Sequence, residues 1–173
     1  MKKFGIINAR LAGYIAGLGH MDQFMIGDGG MPIPAGVPIV DLALCGGGPT
    51  FKQVMDAVLK ETEVEFYTLA EEIKEYNPEL LAYIEESLPG VERRMVPHTG
   101  LKELSKEVKF AIRTGEFTPY PNIILRAGVA FPVRTIRDIR AVRRIGYPNI
   151  PGCFPERFFR DIKKSTLVNG ILP

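Results

Sequence analysis

Six short apolar runs, set off by glycine, proline and polar residues, constrain this chain more than any other feature. They occupy 23–27, 38–44, 64–69, 91–96, 110–114 and 122–127, lengths that suit strands rather than helices. Helical patterns lie between them. Asn8 can cap a helix whose apolar residues Leu11, Ile15 and Leu18 fall at i, i+4 and i+7. Thr50 can cap a second over 51–60. Asn77-Pro78-Glu79 opens a third, with proline at its first position and an acid in its first turn, and Leu80, Leu81, Ile84 and Leu88 form its inner face. Thr99 caps a short fourth carrying Leu101, Leu104 and Val108. This alternation predicts an α/β domain: three layers, α/β/α, around a mostly parallel central sheet of about six strands. In such sheets, sites form outside the carboxyl ends of the strands.

Polar residues sit where that rule directs attention. The stretch GHMDQFMIGDGGMPIP at 19–34 places His20 and Asp22 at the exit of the first helix, which Gly19 ends in the left-handed conformation. The helix dipole there favours an imidazolium. Asp28 follows strand 23–27, before a Gly29-Gly30 turn. His98 stands just past strand 91–96, and it and His20 are the chain's two histidines. Imidazoles at such places point to proton transfer near neutral pH. A capping histidine and a turn aspartate fit the same residues, and the residues alone leave both readings open. Tyr120 and Asn122 end the loop between the last two strands and read equally as core and turn residues. Glu116 in that loop is expected to bond its own backbone amides rather than to act as a second acid. Cys45-Gly46-Gly47-Gly48 precedes a helix, as a phosphate cradle does, but it lacks the Walker lysine and the GxGxxG spacing. A strand-to-helix turn is the better reading.

Charge and cysteine usage exclude other classes. The net charge of the 173 residues is +2, so no global field calls for nucleic acid. No apolar run nears the ~20 residues that cross a bilayer. The start has two lysines but no apolar core or cleavage site of a signal peptide. Cys45 and Cys153 lack metal-ligand spacing and read as reduced thiols of a cytoplasmic protein. The composition changes after Phe131. Residues 132–173 carry nine Lys/Arg against three acids, a +6 that leaves the body at −4. Val133, Ile136, Ile139, Val142 and Ile145 recur every three residues, with Arg134, Arg137, Arg140 and Arg143 one step behind. A period of three winds around a straight helix and leaves no clean face. This basic, proline-containing extension reads as a strap for a neighbouring subunit or a loose tail. RNA binding ranks below both, because no known nucleic-acid motif is present.

Two stretches, GIINARLAGYIAGLGHMDQFMIGDGGMPIPAGV and IRTGEFTPYPNIILRAGVAF, resemble the D-ribose pyranase family and its relatives, the fucose mutarotases. VDLAL, GGPTF, EVE, AEEIK and VPH fall between them in family order, so the resemblance covers residues 1–131 and leaves 132–173 as an extension. DGGMPIP and IRTGEFTPYPN look like the ribose branch. The resemblance implies an RbsD-like fold and interconversion of β-D-ribopyranose and β-D-ribofuranose without metal or organic cofactor. It implies His20, in its GH-x-D motif, as the proton donor, with Asp28, His98, Tyr120 and Asn122 binding the sugar. Asp22 is expected to support the His20 ring. It further implies a ring-shaped homo-oligomer, a decamer, with sites near subunit interfaces. The glycine-rich turn at 45–48 and the 42 residues after Phe131 depart from the family pattern. A mutarotase for fucose or another sugar, and a non-catalytic sugar-binding accessory of ribose uptake, are the alternatives.

Overall fold

The computed structural model describes residues 1–131; the extension expected at 132–173 lies outside the described residues. The chain runs α1 (Ala9–Ala16), β1 (Gln23–Gly27), β2 (Ile39–Asp41), α2 (Phe51–Leu59), β3 (Val64–Ala70), α3 (Ile73–Tyr76), α4 (Pro78–Ser87), β4 (Glu92–Val96), α5 (His98–Leu104), β5 (Ala111–Arg113) and β6 (Ile123–Ala127). The six strands form one sheet in the order β2-β5-β1-β6-β3-β4. β1, β2 and β5 run parallel, as do β3 and β4, while β6 lies antiparallel between β1 and β3. The expected α/β fold with a mostly parallel six-stranded sheet is therefore present, with one strand reversed at its centre.

Alternation along the strands builds a core on each face. Phe24, Ile26, Ile112, Ile123 and Leu125 point to one side, against Leu11 and Ile15 of α1, Val54, Met55 and Val58 of α2, and Leu80 and Ile84 of α4. Met25, Ala111 and Ile124 point to the other, against Leu101 of α5, Met31 and Val108. The first cluster is much the larger. The helix starts follow the sequence: Asn8 Oδ1 accepts from Leu11 N–H, Thr50 and Gln53 form a reciprocal capping box, and Asn77 caps α4 with Pro78 at its first turn.

Three local departures bear on function. α1 stops at Ala16, three residues short of Gly19, because Gly17 leaves the helical region at ψ 0°, and Gly19 does not take the expected left-handed conformation. His20 thus stands in a separate turn beyond the helix end, with Met21 in the left-handed region at φ 69°. α5 starts at His98 rather than after Thr99, with Pro97 as its cap. Between Val64 and Phe66 the β3–β6 register slips by one, which makes Glu65 the extra residue of a bulge.

Candidate active site

The carboxyl ends of β1, β2, β3, β4 and β5 share one edge of the sheet, and the reversed β6 brings its amino end to the same place. Asp28, His98, Tyr120 and Asn122 therefore meet there. Asn122 is 1% exposed and grips Asp28 twice. Its Oδ1 accepts from the Asp28 amide at 3.1 Å, and its Nδ2 donates to Asp28 Oδ2 at 2.7 Å. The other carboxylate oxygen of Asp28 accepts from Gly30 N–H at 2.7 Å. Asp28 is thus held by three hydrogen bonds while its side chain faces the cleft.

Tyr120 has φ 59°, unusual for a residue with a Cβ. The turn is closed by a 2.8 Å bond from Asn122 N–H to the Tyr120 carbonyl. This backbone aims the phenol ring at His98, edge-on with centroids 5.2 Å apart, and against Tyr76 at 5.3 Å. Residues held in such sparsely populated backbone regions concentrate at functional sites. The His98 amide donates to both oxygens of Glu72 at 3.0 Å, so a carboxylate from the end of β3 fixes the start of α5. Burial, with help from the Lys102 cation, lowers the His98 imidazole below its usual 6.5, against the opposing pull of Glu72 and Asp28. Its Nδ1 is buried and has no partner among the described residues. Neutral, it offers a polar atom that a ligand hydroxyl can meet.

A cleft of about 390 Å³ opens over this edge, lined by Asp28, Gly29, Glu116, Phe117, Pro119 and Tyr120. Glu116 fills the structural role expected of it. Its carboxylate accepts from Phe117 and Thr118 amides and from Phe51 N–H at the start of α2. Desolvation works to raise its pKa, but these amides outweigh it and hold the carboxyl below its usual range. Asn77 Nδ2 ties down the same loop through Thr118 Oγ1 and the Pro119 carbonyl. The Phe117 ring lies between Gly29 and Gly46: a Cβ on either glycine would come within 2.7 Å of it. The glycine-rich turn at 45–48 therefore seats a ring and packs on Gly115, where an added Cβ would strike the Gly48 carbonyl at 2.4 Å.

His20 is not in this group. Its turn precedes β1, so it stands at the amino edge, and the five residues of β1 put roughly 16 Å of strand, at ~3.3 Å each, between it and Asp28. Its ring is half exposed, and Nε2 lies 2.9 Å from Glu65 Oε2. Asp22, expected to support the ring, is engaged elsewhere. Its Oδ2 takes Lys109 Nζ at 2.6 Å and the Gly19 amide at 2.6 Å, and these hold its carboxyl below the usual range. The carboxylate on His20 comes from 45 residues away, beyond any local motif. Glu65, Glu72 and Tyr76 are the residues sequence reasoning missed. Glu72 alone left a local trace, as the acid opening the turn after β3.

A family model described as the RbsD / FucU transport protein family matches residues 1–130. The chain is 50% identical over 131 residues to a D-ribose pyranase of Limosilactobacillus fermentum, covering 76% of this chain and 100% of that protein. It is 53% identical to a D-ribose pyranase of Lactococcus lactis subsp. lactis, covering 75% of this chain and 99% of that one. Among solved structures, Bacillus subtilis RbsD complexed with D-ribose superposes with a TM-score of 0.73 at 44% identity, covering 76% of this chain and 100% of that chain. The fucose mutarotase of Streptococcus pneumoniae, in complex with L-fucose, gives a TM-score of 0.59 at 20% identity, covering 72% and 95%. That last likeness is one of fold alone.

Proposed function

The chain belongs to the RbsD / FucU transport protein family, and on that premise we propose that it is a D-ribose pyranase, an isomerase that interconverts β-D-ribopyranose and β-D-ribofuranose. The observation that carries the ribose assignment is identity at about half of all positions, along the whole length of proteins that bear this name. The carboxyl-edge cleft supplies the chemistry to match. Asp28 presents a fixed acceptor for sugar hydroxyls, Asn122 serves the sugar through its buried amide on Asp28, and His98 Nδ1 is a further polar atom with no partner among the described residues. Tyr120 contributes a ring face and a hydroxyl.

The reaction needs proton transfers and one bond rotation. A base takes the proton of the anomeric hydroxyl as the bond from the anomeric carbon to the ring oxygen breaks, and an acid protonates that oxygen. The open aldehyde rotates. The hydroxyl one carbon nearer then attacks the carbonyl, giving up its proton as the carbonyl oxygen gains one. We assign this exchange to His20, because an imidazole gives and takes protons at working pH. No metal or organic cofactor enters this scheme.

His20 and the cleft lie at opposite edges of one protomer, so a site using both takes His20 from a neighbouring copy. The exposed apolar side chains support a head-to-tail contact. Met21 lies in the His20 turn at the amino edge, with Phe131 four residues past the end of β6, and Leu44, Tyr76 and Phe117 lie at the carboxyl edge. Two different patches of this kind join heterologously, and such contacts close into rings when the rotation between copies divides a full turn. We therefore read the protein as a ring-shaped homo-oligomer, a decamer in the family manner. Residues 1–131 form the catalytic body, and 132–173 an added extension. Among the described residues no helix is long and apolar enough to cross a membrane. The free thiol of Cys45 fits a reducing cytoplasm.

Saturation-transfer NMR on ribose tests the assignment. Added protein is expected to accelerate exchange between the pyranose and furanose signals. Binding without acceleration would instead make the protein a sugar-binding accessory, and acceleration confined to fucose anomers would make it a fucose mutarotase.

A further inference from the structure

We propose that Glu65 is a positioning residue for His20: it holds Nε2 and leaves Nδ1 as the nitrogen that exchanges protons with the sugar. The proposal rests on His20 being the proton shuttle of the pyranase reading above. A carboxylate only accepts, so at 2.9 Å from Glu65 Oε2 the Nε2 atom carries the hydrogen. The neutral ring then has its lone pair on Nδ1, and the charged ring has its transferable proton there.

The surroundings of Glu65 are built to keep it in place. It is the extra residue of the β3 bulge, and bulges re-aim side chains beside active sites. Its second oxygen, Oε1, lies 2.8 Å from Arg126 Nε in an ion pair. The Arg126 guanidinium rests 4.7 Å over the Phe66 ring. Gly128 packs against Glu65, where an added Cβ would lie 3.2 Å from the Glu65 Cβ. The His20 turn is pinned to the same strand end. Met21 N–H donates to the Ala127 carbonyl at 2.9 Å, and Ala127 N–H to the Asp22 carbonyl at 2.8 Å. Three separate segments thus converge on one exposed imidazole. Ion pairs this open to solvent add little to stability, so stability alone does not account for a bulge, a stacked arginine and a left-handed Met21 meeting here.

The test compares Glu65→Ala, Glu65→Gln and His20→Ala in the full chain. Long-range 15N spectra of the His20 ring are expected to show the Nε2–H tautomer in the wild type and in Glu65→Gln, whose amide oxygen still accepts. In Glu65→Ala they should drift toward a mixture of tautomers. Ribose exchange in Glu65→Ala is expected to fall roughly tenfold, as when the orienting partner of a working histidine is lost, with ribose affinity unchanged and most of the rate recovered in Glu65→Gln. A ring spectrum unaffected by Glu65→Ala overturns the proposal. So does wild-type exchange in that variant, or a loss of rate matched by an equal loss of binding. Full exchange in His20→Ala would sink the assignment of the shuttle itself, and this proposal with it, whatever Glu65 does.

Discussion

The two edges of the sheet are built by different means. At the carboxyl edge, polar groups are buried or half-buried and interlocked: Asn122 holds Asp28, Glu72 holds the start of α5, and Glu116 holds a loop and the start of α2. At the amino edge a single half-exposed imidazole stands on an ion pair between Glu65 and Arg126. Among the described residues each edge has one non-glycine residue at positive φ, Tyr120 at the first and Met21 at the second. On the proposed assignment of the site, the contrast is that of a receptor and a tool. A sugar has many hydroxyls to match, and matching needs fixed partners, since unmet buried groups are costly. A proton shuttle needs one group, correctly presented. Binding and rate should therefore separate under mutation according to edge.

The largest effect expected is on rate. His20→Ala should return ribose exchange to near the unaided speed, a loss on the order of 10²–10⁴-fold, with ribose affinity kept. Asp28→Ala should lose affinity as well. If each site draws its two halves from different copies, as proposed, mixing the two inactive variants under conditions that exchange subunits at random should restore about a quarter of the activity. No recovery would show that one copy supplies the whole site, and the division by edge would fail.

Next comes Asn122→Ala, which strips the buried amide from Asp28. It should cost about 2 kcal/mol of stability together with ribose binding, measured by denaturant unfolding and by titration. An Asn122→Ala protein that keeps full stability would mean the carboxyl edge is less interlocked than its hydrogen bonds imply.

The pH response should also be local to that edge. The folded protein holds His98 less protonated than the unfolded chain does. As pH falls below 6.5 the unfolded chain takes up the extra proton, so this contribution to stability is full above 6.5 and shrinks beneath it. His98→Gln should flatten the decline in melting temperature between pH 7 and 5.5, and an unchanged slope would assign the decline to other groups. The smallest effect on folding is expected for Phe117→Ala, within about 0.5 kcal/mol, because the residue is 76% exposed. Its effect should appear in sedimentation, as weaker assembly. An assembly indifferent to the change would exclude Phe117 from the subunit contact.

Much of the carboxyl edge was legible in the sequence. Asp28 follows an apolar run and precedes two glycines, and Tyr120 and Asn122 close a proline-rich loop, so local chemistry marks them. Glu116 was readable for the same reason. The amino edge was legible only as the histidine itself. Its partner lies across the sheet in a bulge, and the one-residue slip that aims it depends on pairing with β6, which no period in β3 reveals. Asp22, close in sequence, is taken by Lys109, which the β1–β5 pairing brings alongside. The reversal of β6 was equally silent, because alternation reads the same in both directions. α3 escaped because four residues carry too little periodicity to register.

That reversed strand acts as a ruler. Asn122 precedes its first residue, and Arg126 lies within its last turn of alternation, so five residues of β6 span from one half-site to the other. Lengthening or shortening it by one residue would turn alternate side chains inside out and, in the ring proposed above, change how far each protomer reaches from its sugar to its neighbour. In such a ring the spacing of the two half-sites is set by one short segment, whose pairing with β3 already holds one extra residue in the bulge at Glu65.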